Sequence, residues 1–435
     1  MATNVTVLGA AGATVTIPFT SAANAAAAQN ALSTISDLVS KSVLTQVNYS
    51  SGPVAAPTLM GGVVVSGNAP VDLGMLPGGV YSVVNTATNG SAGAPGTTVV
   101  GVTNPMTVAS GTGGIVFLNV SSSAQVFLDG GTNLVGQGAS SASAVIGVST
   151  DDTHVDARLG STTINAYDDS QIQVWAGSGT AVVNAMGDNI VNVFGDNTGN
   201  AVSVFATGSS LGFIGSPEST SYIDPGTGNV TVAADSGQLT LIGGSGDALV
   251  FGAHGLIDGG TGTNYLITDS LAGATTLMSA GANDTLIGQG AGNMYITGGS
   301  NALVADQSDS TSGGGAIYQA TSGTATIFGS IAANSLFNIG DATVTAYGQH
   351  GADGTRGNIY MDAYDGANQI TIGDFVVNQD YFSLSRSSSG AALSSLNYYD
   401  DAGTSAFGAV GTQAILTDGT KIDFLNVNVG NSSFT

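Results

Sequence analysis

The side chains of this chain that could do chemistry are almost all aspartates. Of its 29 acidic residues only Glu218 is a glutamate; there are three histidines, no cysteine, and five cations, Lys41, Arg158, Arg356, Arg386 and Lys421. Aspartates can chelate hard divalent cations through oxygen, and two facing carboxylates can hydrolyse a glycosidic bond. The adjacent pairs Asp151/Asp152, Asp168/Asp169 and Asp400/Asp401 are the candidates for hydrolysis. Neighbours along a strand point to opposite faces, however, so such dipeptides do not by themselves build a two-carboxylate cleft. The string GSSLG at 208–212 puts Ser210 where a serine hydrolase has its nucleophile. That chemistry needs a strand-to-helix turn and a partner histidine, and no helical pattern follows. His154, His254 and His350 are isolated, without metal-ligand spacing, and each reads as a surface or corner residue. A polysaccharide lyase would need a cation against its enolate, yet Arg158 is the only Lys or Arg between 42 and 355. The expectation is that the chain is not an enzyme.

The charge balance narrows the partners. A net charge of -24 over 435 residues repels nucleic acid and anionic lipid, which need clustered cations. Without cysteine there is neither a disulfide nor a thiolate metal site. No apolar run is long enough to span a bilayer, so no membrane span is expected. The opening MATNVTVLGAAG has neither a basic n-region nor a continuous apolar h-region, so a Sec-type signal peptide is not expected.

The 66 glycines, with abundant Asp, Asn, Thr and Val, favour turns and strands over helices as the elements that carry these side chains. Residues 4–8 and 13–17 alternate as a hairpin. From Ser21 to about Ser42, Ala25, Ala28, Leu32, Ile35 and Val39 recur on one helical stripe, with Ser21 as N-cap; a helix packed over the end of a β-core is expected. Residues 51–110 read as an irregular β-rich entry segment. Over 111–350, short β-branched runs return every eight to eleven residues, separated by Gly, Asn, Asp, Ser or Thr. Units such as INAYDDSQIQVWAG, VNAMGDNIVNVFGD and LTLIGGSGDALVFG resemble one another. Stacked coils bury a continuous apolar row that one unit cannot bury alone. The fold class expected is all-β: a stacked β-solenoid of parallel β-helix or β-roll type, with a short N-terminal helix.

Some of these units resemble a known group. Residues 259–267, GGTGTNYLI, are similar to the glycine-rich nonapeptide GGxGxDxUx of RTX proteins, with Asn264 in place of the aspartate; SAGANDTLI at 279–287 keeps Asp284, and GGSGDALV at 243–250 holds Asp247 one place early. Residues 370–384, ITIGDFVVNQDYFSL, and 415–424, ILTDGTKIDF, resemble the strand and hairpin that follow the repeats in type I secreted RTX proteins. The coils and LPGGVYSVV at 76–84 also resemble bacterial beta strand repeat-containing secreted proteins. The resemblance implies a C-terminal β-sandwich-like secretion domain over 351–435, export by a type I apparatus to the bacterial exterior, and a few Ca²⁺ sites at Asp247, Asp258, Asp284 and Asp306.

The function expected is that of a secreted structural protein. Solenoid ends expose unpaired backbone groups that seek copies of the same chain, building a surface layer, fibre or biofilm matrix. The strands at 4–8 and 13–17 would cap their own chain or complement a neighbour. The alternative is a cell-surface adhesin or carbohydrate-binding protein contacting surface polysaccharide; that reading gains if Trp175, the single tryptophan, lies exposed beside Tyr167, although a tryptophan filling the core is the favoured expectation.

Overall fold

The computed structural model describes residues 3–9, 12–50, 61–66, 71–77, 79–87, 97–101, 105–120, 122–150, 152–196, 199, 201–235, 237–269, 274–308, 315–331, 334–350, 357–363, 367–384, 391–399 and 410–435. Apart from one α-helix and a short 3-10 turn, the regular elements among these residues are strands joined by tight corners, and most of the strands belong to about 15 turns of stacked parallel β-solenoid. The chain divides into two compact units, 1–229 and 230–435.

In the first unit, β1 (Thr3–Leu8) and β2 (Thr14–Phe19) form an antiparallel hairpin with Val5 opposite Ile17. The helix α1 (Ala22–Ser40) follows, capped by Ser21, whose hydroxyl accepts from the Asn24 N–H. The coils then begin with β3 (Thr45–Tyr49), β4 (Gly61–Val65), β5 (Asp72–Met75) and β6 (Val80–Asn85). Two parallel ladders run through the unit. One carries β3, β4 and β6 onward through Met106–Ser110, Ser123–Asp129, Ser143–Ser149, Ser161–Tyr167 and Thr180–Met186. The other runs from β5 through Thr97–Gly101, Ile115–Asn119, Thr132–Gln137, Asp152–Ala157, Gln171–Ala176 and Ile190–Gly195. The period of two sends alternate residues inward, and the register stacks like on like. Val126, Ile146, Ile164, Val183, Val204 and Ile223 form one wholly buried aliphatic column.

Three expectations change here. The described residues of 61–110 are already coils of the stack rather than an irregular entry. The hairpin and helix lie on the flank of the first ladder and do not cover its end: Val5, Val7, Ile17, Phe19, Ala25, Ala28 and Leu32 pack on Val64, Val84, Ala109 and Phe127. Their docking is polar as well as apolar. Asn24, fully buried, donates to the Leu128 carbonyl (2.8 Å) and the Ser149 hydroxyl (3.0 Å), and the Thr20 N–H and hydroxyl donate to Asp129.

The second unit is also built of parallel ladders, with Tyr295, Tyr318, Phe337 and Tyr360 in register at successive levels. The third change concerns 351–435. In place of a separate sandwich, Gln369–Ile372 pairs in parallel with both Leu336–Tyr347 and Lys421–Leu425, and the antiparallel strands Gly411–Leu416 and Leu393–Tyr399 extend that sheet. Thr435 is bonded through its own N–H and carbonyl to Phe382 and Leu384.

Candidate functional site

The corners of the coils hold a recurring device. Asn133, Asn189, Asn264, Asn293 and Asn358 are each almost wholly buried beside the start of a strand. Each side-chain oxygen accepts the backbone N–H of the preceding coil: from Ile115 (3.1 Å), Ser170 (3.0 Å), Ala248 (3.1 Å), Thr275 (3.2 Å) and Ser335 (3.0 Å). In four of them the amide nitrogen also donates to a carbonyl of its own corner, as Asn189 does to Met186 (2.8 Å) and Asn293 to Gly290 (2.6 Å). One asparagine therefore satisfies buried groups on two levels of the stack, where an orphaned N–H would be costly. Their sequence signal is a glycine one or two places before an asparagine that precedes an apolar residue, as in Gly131-Thr132-Asn133-Leu134 and Gly357-Asn358-Ile359.

The four aspartates expected to bind metal serve similar ends at separate corners. Asp247 is exposed and accepts the Thr263 N–H (2.8 Å). Asp258 and Asp306 accept the N–H two residues on, from Gly260 and Ser308 (both 2.9 Å), the local turn to which aspartate is suited. Asp306, buried, also accepts from the Tyr295 hydroxyl at 3.1 Å. Asp284, buried, accepts the Asn264 N–H (2.8 Å) and the Ser279 hydroxyl. Among the described residues no three His, Asp or Glu side chains are grouped to hold a metal. At the corner most similar to the RTX nonapeptide, the Asn264 amide nitrogen lies 2.8 Å from the Gly262 carbonyl, 2.9 Å from the Ser279 hydroxyl and 3.2 Å from Asp284. A neutral N–H donor thus occupies the oxygen cage, and the residues as placed do not fit a calcium ion.

The other flagged residues are scattered. Ser210 begins the strand Ser210–Ile214 and pairs with Ile190. His154 lies 3.3 Å from Asp152; His254 is paired with Gln238 within a strand. His350 departs from the surface reading: its Nε2 is 2.7 Å from Asp380, a fully buried carboxylate that also accepts the Asn358 and Val376 N–H groups at 2.6 and 2.8 Å. Burial raises the Asp380 pKa, and these hydrogen bonds oppose the rise. The RTX-like stretch 370–384 is here a corner clasp, because Asp374 accepts the Gly348 and Gln349 N–H groups (2.6 and 2.8 Å). Asp168 and Asp169 both have positive φ, 43° and 56°, and form a tight corner; Asp151, Asp400 and Asp401 lie outside the described residues. Trp175 alternates with the buried Ile172, Val174 and Ala176, so it points outward, stacked on Phe194 and near His154, rather than filling the core.

Two surfaces of the first unit remain. The first is a groove of 720 Å³ between the flank of α1, including Ile35 and Leu38, and a floor of Ser123, Ser143, Ser161, Thr180, Val145 and Val182; among the described residues no carboxylate, imidazole or cation lines it. The second is the starting edge of each ladder. On β5 the edge strand is short, its pairing shifts register, and it carries Asp72, and Gly74 at φ 58°, features that blunt an edge. On β3, TQVNY, the edge has five residues without charge, proline or register shift, and among the described strands it pairs only with β4. Ser66 donates to the Tyr49 carbonyl at 3.1 Å. Since backbone groups alternate sides along a strand, those of Asn48 face away from β4. Against known proteins, no family model, curated protein or solved structure matches this chain.

Proposed function

We propose that the protein is an extracellular structural protein whose copies join through the ends of their coil stacks. The observation that carries this reading is the contrast between the two starting edges of the first unit. β5 is blunted, whereas β3 offers five residues of backbone to an incoming strand, with Val47 38% exposed beside it. Strand addition at such an edge supplies main-chain hydrogen bonds without a pocket. The flank position of the hairpin supports β3, rather than residues 4–8 or 13–17, as the joining element, because Val5, Val7 and Ile17 are committed to the core beneath α1. A bacterial exterior reached by type I export, in a layer, fibre or biofilm matrix, belongs to the same reading. It is supported by the acidic, cysteine-free composition and the RTX-like stretches at 370–384 and 415–424.

The test is electron microscopy and sedimentation of the full chain beside Asn48→Pro. Proline is tolerated on an edge strand where its missing N–H would face outward, so the variant keeps its circular dichroism. Wild type is expected to form ordered fibres or sheets and Asn48→Pro to stay monomeric. Wild type that stays monomeric when concentrated, or a proline variant that assembles as wild type does, overturns the reading.

A further inference from the structure

We infer that the outward face of the strands Asp152–Ala157, Gln171–Ala176 and Ile190–Gly195 is a binding strip for a neutral polysaccharide, with Trp175 and Phe194 as its apolar rail and His154, Gln173 and Asn192 as its hydrogen-bonding rail. The inference is independent of association at the coil ends.

Trp175 stands in register with Phe194, their ring centroids 6.0 Å apart and their planes 24° apart. His154 lies 5.4 Å from Trp175 at 32°. Trp175 and Phe194 thus repeat an aromatic ring on two successive coils, with the His154 ring tilted beside them on the coil before, and an extended polymer laid along the stack meets aromatic surface at these levels. Aromatic surface beside polar groups suits sugar rings, which carry both C–H and O–H faces. Leu134 and Ile214, exposed on the same ladder, lengthen the apolar surface on either side.

The amides make the stronger argument. Gln173 and Asn192 are in register on adjacent coils, and neither side chain is hydrogen-bonded to the described protein. On the other ladder the equivalent pair, Asn165 and Asn184, bond to each other at 3.0 Å. Gly212 sits above Asn192, and a Cβ there would come within 2.6 Å of its Oδ1; glycine leaves that amide open. One face has spent its amides on itself, and the other holds its donors and acceptors ready for hydroxyl groups.

Charge selects among polymers. Arg158, the one Lys or Arg of the described residues on these strands and their corners, is held by both oxygens of Asp156 at 2.9 and 2.6 Å, and His154 lies beside Asp152. Among the described residues of the strip no free cation is left for a polyanion, and the aspartates repel one. A protein partner fits less well, because Asp152 and Asp156 stand on the strip itself, whereas the centre of a protein interface is depleted of charged residues.

Trp175 is the only tryptophan, so its intrinsic fluorescence reads this strip directly. The full chain is titrated with cellohexaose and chitohexaose, and its retention is measured on insoluble cellulose and chitin, with alginate as the anionic probe. Expected are a saturable change in emission with at least one neutral probe and none with alginate, loss of retention in Trp175→Ala, and affinity lowered about tenfold in Gln173→Ala and in Asn192→Ala, the order of one hydrogen bond. Circular dichroism of each variant should match wild type. Failure of every neutral probe, equal binding of alginate, or wild-type retention in both Trp175→Ala and Gln173→Ala overturns the inference. So does an emission change that follows protein concentration alone, which would mean that a second copy covers the strip.

Discussion

The two units fill the same kind of parallel ladder with different materials. In the first, the column Val126, Ile146, Ile164, Val183, Val204 and Ile223 is aliphatic from level to level. In the second, Tyr295, Tyr318, Phe337 and Tyr360 stack with centroids 5.0, 4.9 and 4.7 Å apart. Parallel pairing accepts either filling, but the aromatic column carries phenolic hydroxyls inward, and these bring polar obligations that isoleucine and valine do not. Tyr295 meets its own through Asp306; among the described residues the Tyr360 hydroxyl is buried without a partner. Burial raises the pKa of Tyr295, Tyr318 and Tyr360 above the usual phenol value, and nearby carboxylates, Asp306 for the first two and Asp380 for the third, add to the rise. The ladder sets the architecture, and the filling sets how each unit responds to pH and to truncation.

The strongest way to break the comparison is to cut a hole in each column. Phe337→Ala should cost about 3–5 kcal/mol and Val183→Ala about 2 kcal/mol. Urea unfolding checks both, with tyrosine absorbance reporting the aromatic unit and Trp175 emission the aliphatic one. Equal losses would mean that the aromatic stack adds nothing beyond its area.

Next in size is Asn264→Asp. The new carboxylate would face the Gly262 carbonyl and Asp284, so the variant should lose about 3 kcal/mol at neutral pH without metal. Calcium should restore its Tm, while the wild-type Tm stays the same in chelator and in calcium. A wild-type melting point that moves with chelator would show that the amide does not stand in for an ion.

The asparagine staples should act alike in both units. Asn189→Ala and Asn358→Ala each strand a backbone N–H, of Ser170 and Ser335, and should each cost about 1–3 kcal/mol. A large disparity in the same urea experiment would tie the staples to the filling rather than to the ladder.

Smallest is the effect of alkali and of one hydroxyl. A raised folded-state pKa means that the neutral phenol is favoured in the fold. This contribution is complete below the unfolded value of about 10 and is lost as pH rises through the folded values. The second unit should therefore loosen above about pH 10, with tyrosinate absorbance appearing only as it opens. Tyr360→Phe removes the partnerless hydroxyl, should gain up to about 1 kcal/mol at neutral pH, and should move the alkaline transition upward. A lowered transition would show that this hydroxyl does find a partner.

Much of the ladder was legible in the sequence. Runs such as Ile172 to Val174 and Val202 to Phe205 alternate because one face must be buried, and glycine corners mark where coils turn. The hairpin and the capped helix were legible for the same local reasons. Their seat on the flank was not, since it depends on Val64, Val84 and Phe127 meeting across distant coils. The aromatic column was hidden by intervals of 23, 19 and 23 residues between its members, because loops of unequal length lie between equal rungs. An asparagine at a corner reads as a turn former whether it faces water or joins two levels, so the staples were visible as letters but not as a device. The aspartates carry a related ambiguity: a carboxylate that accepts N–H groups looks, one residue at a time, like one that could hold a cation. Trp175 was ambiguous because a shift of one residue in register decides between core and surface.

The in-register pairing of Ser143–Ser149, Ser161–Tyr167 and Thr180–Met186 has one more consequence. Neighbouring rungs there differ by little more than a vertical translation, so a copied segment from Ser161 to Gly179 would slot in as a spare storey, its floor and ceiling already matched. Such a molecule can change height by gene duplication without redesigning a side chain, and its length is then something selection can adjust in whole steps.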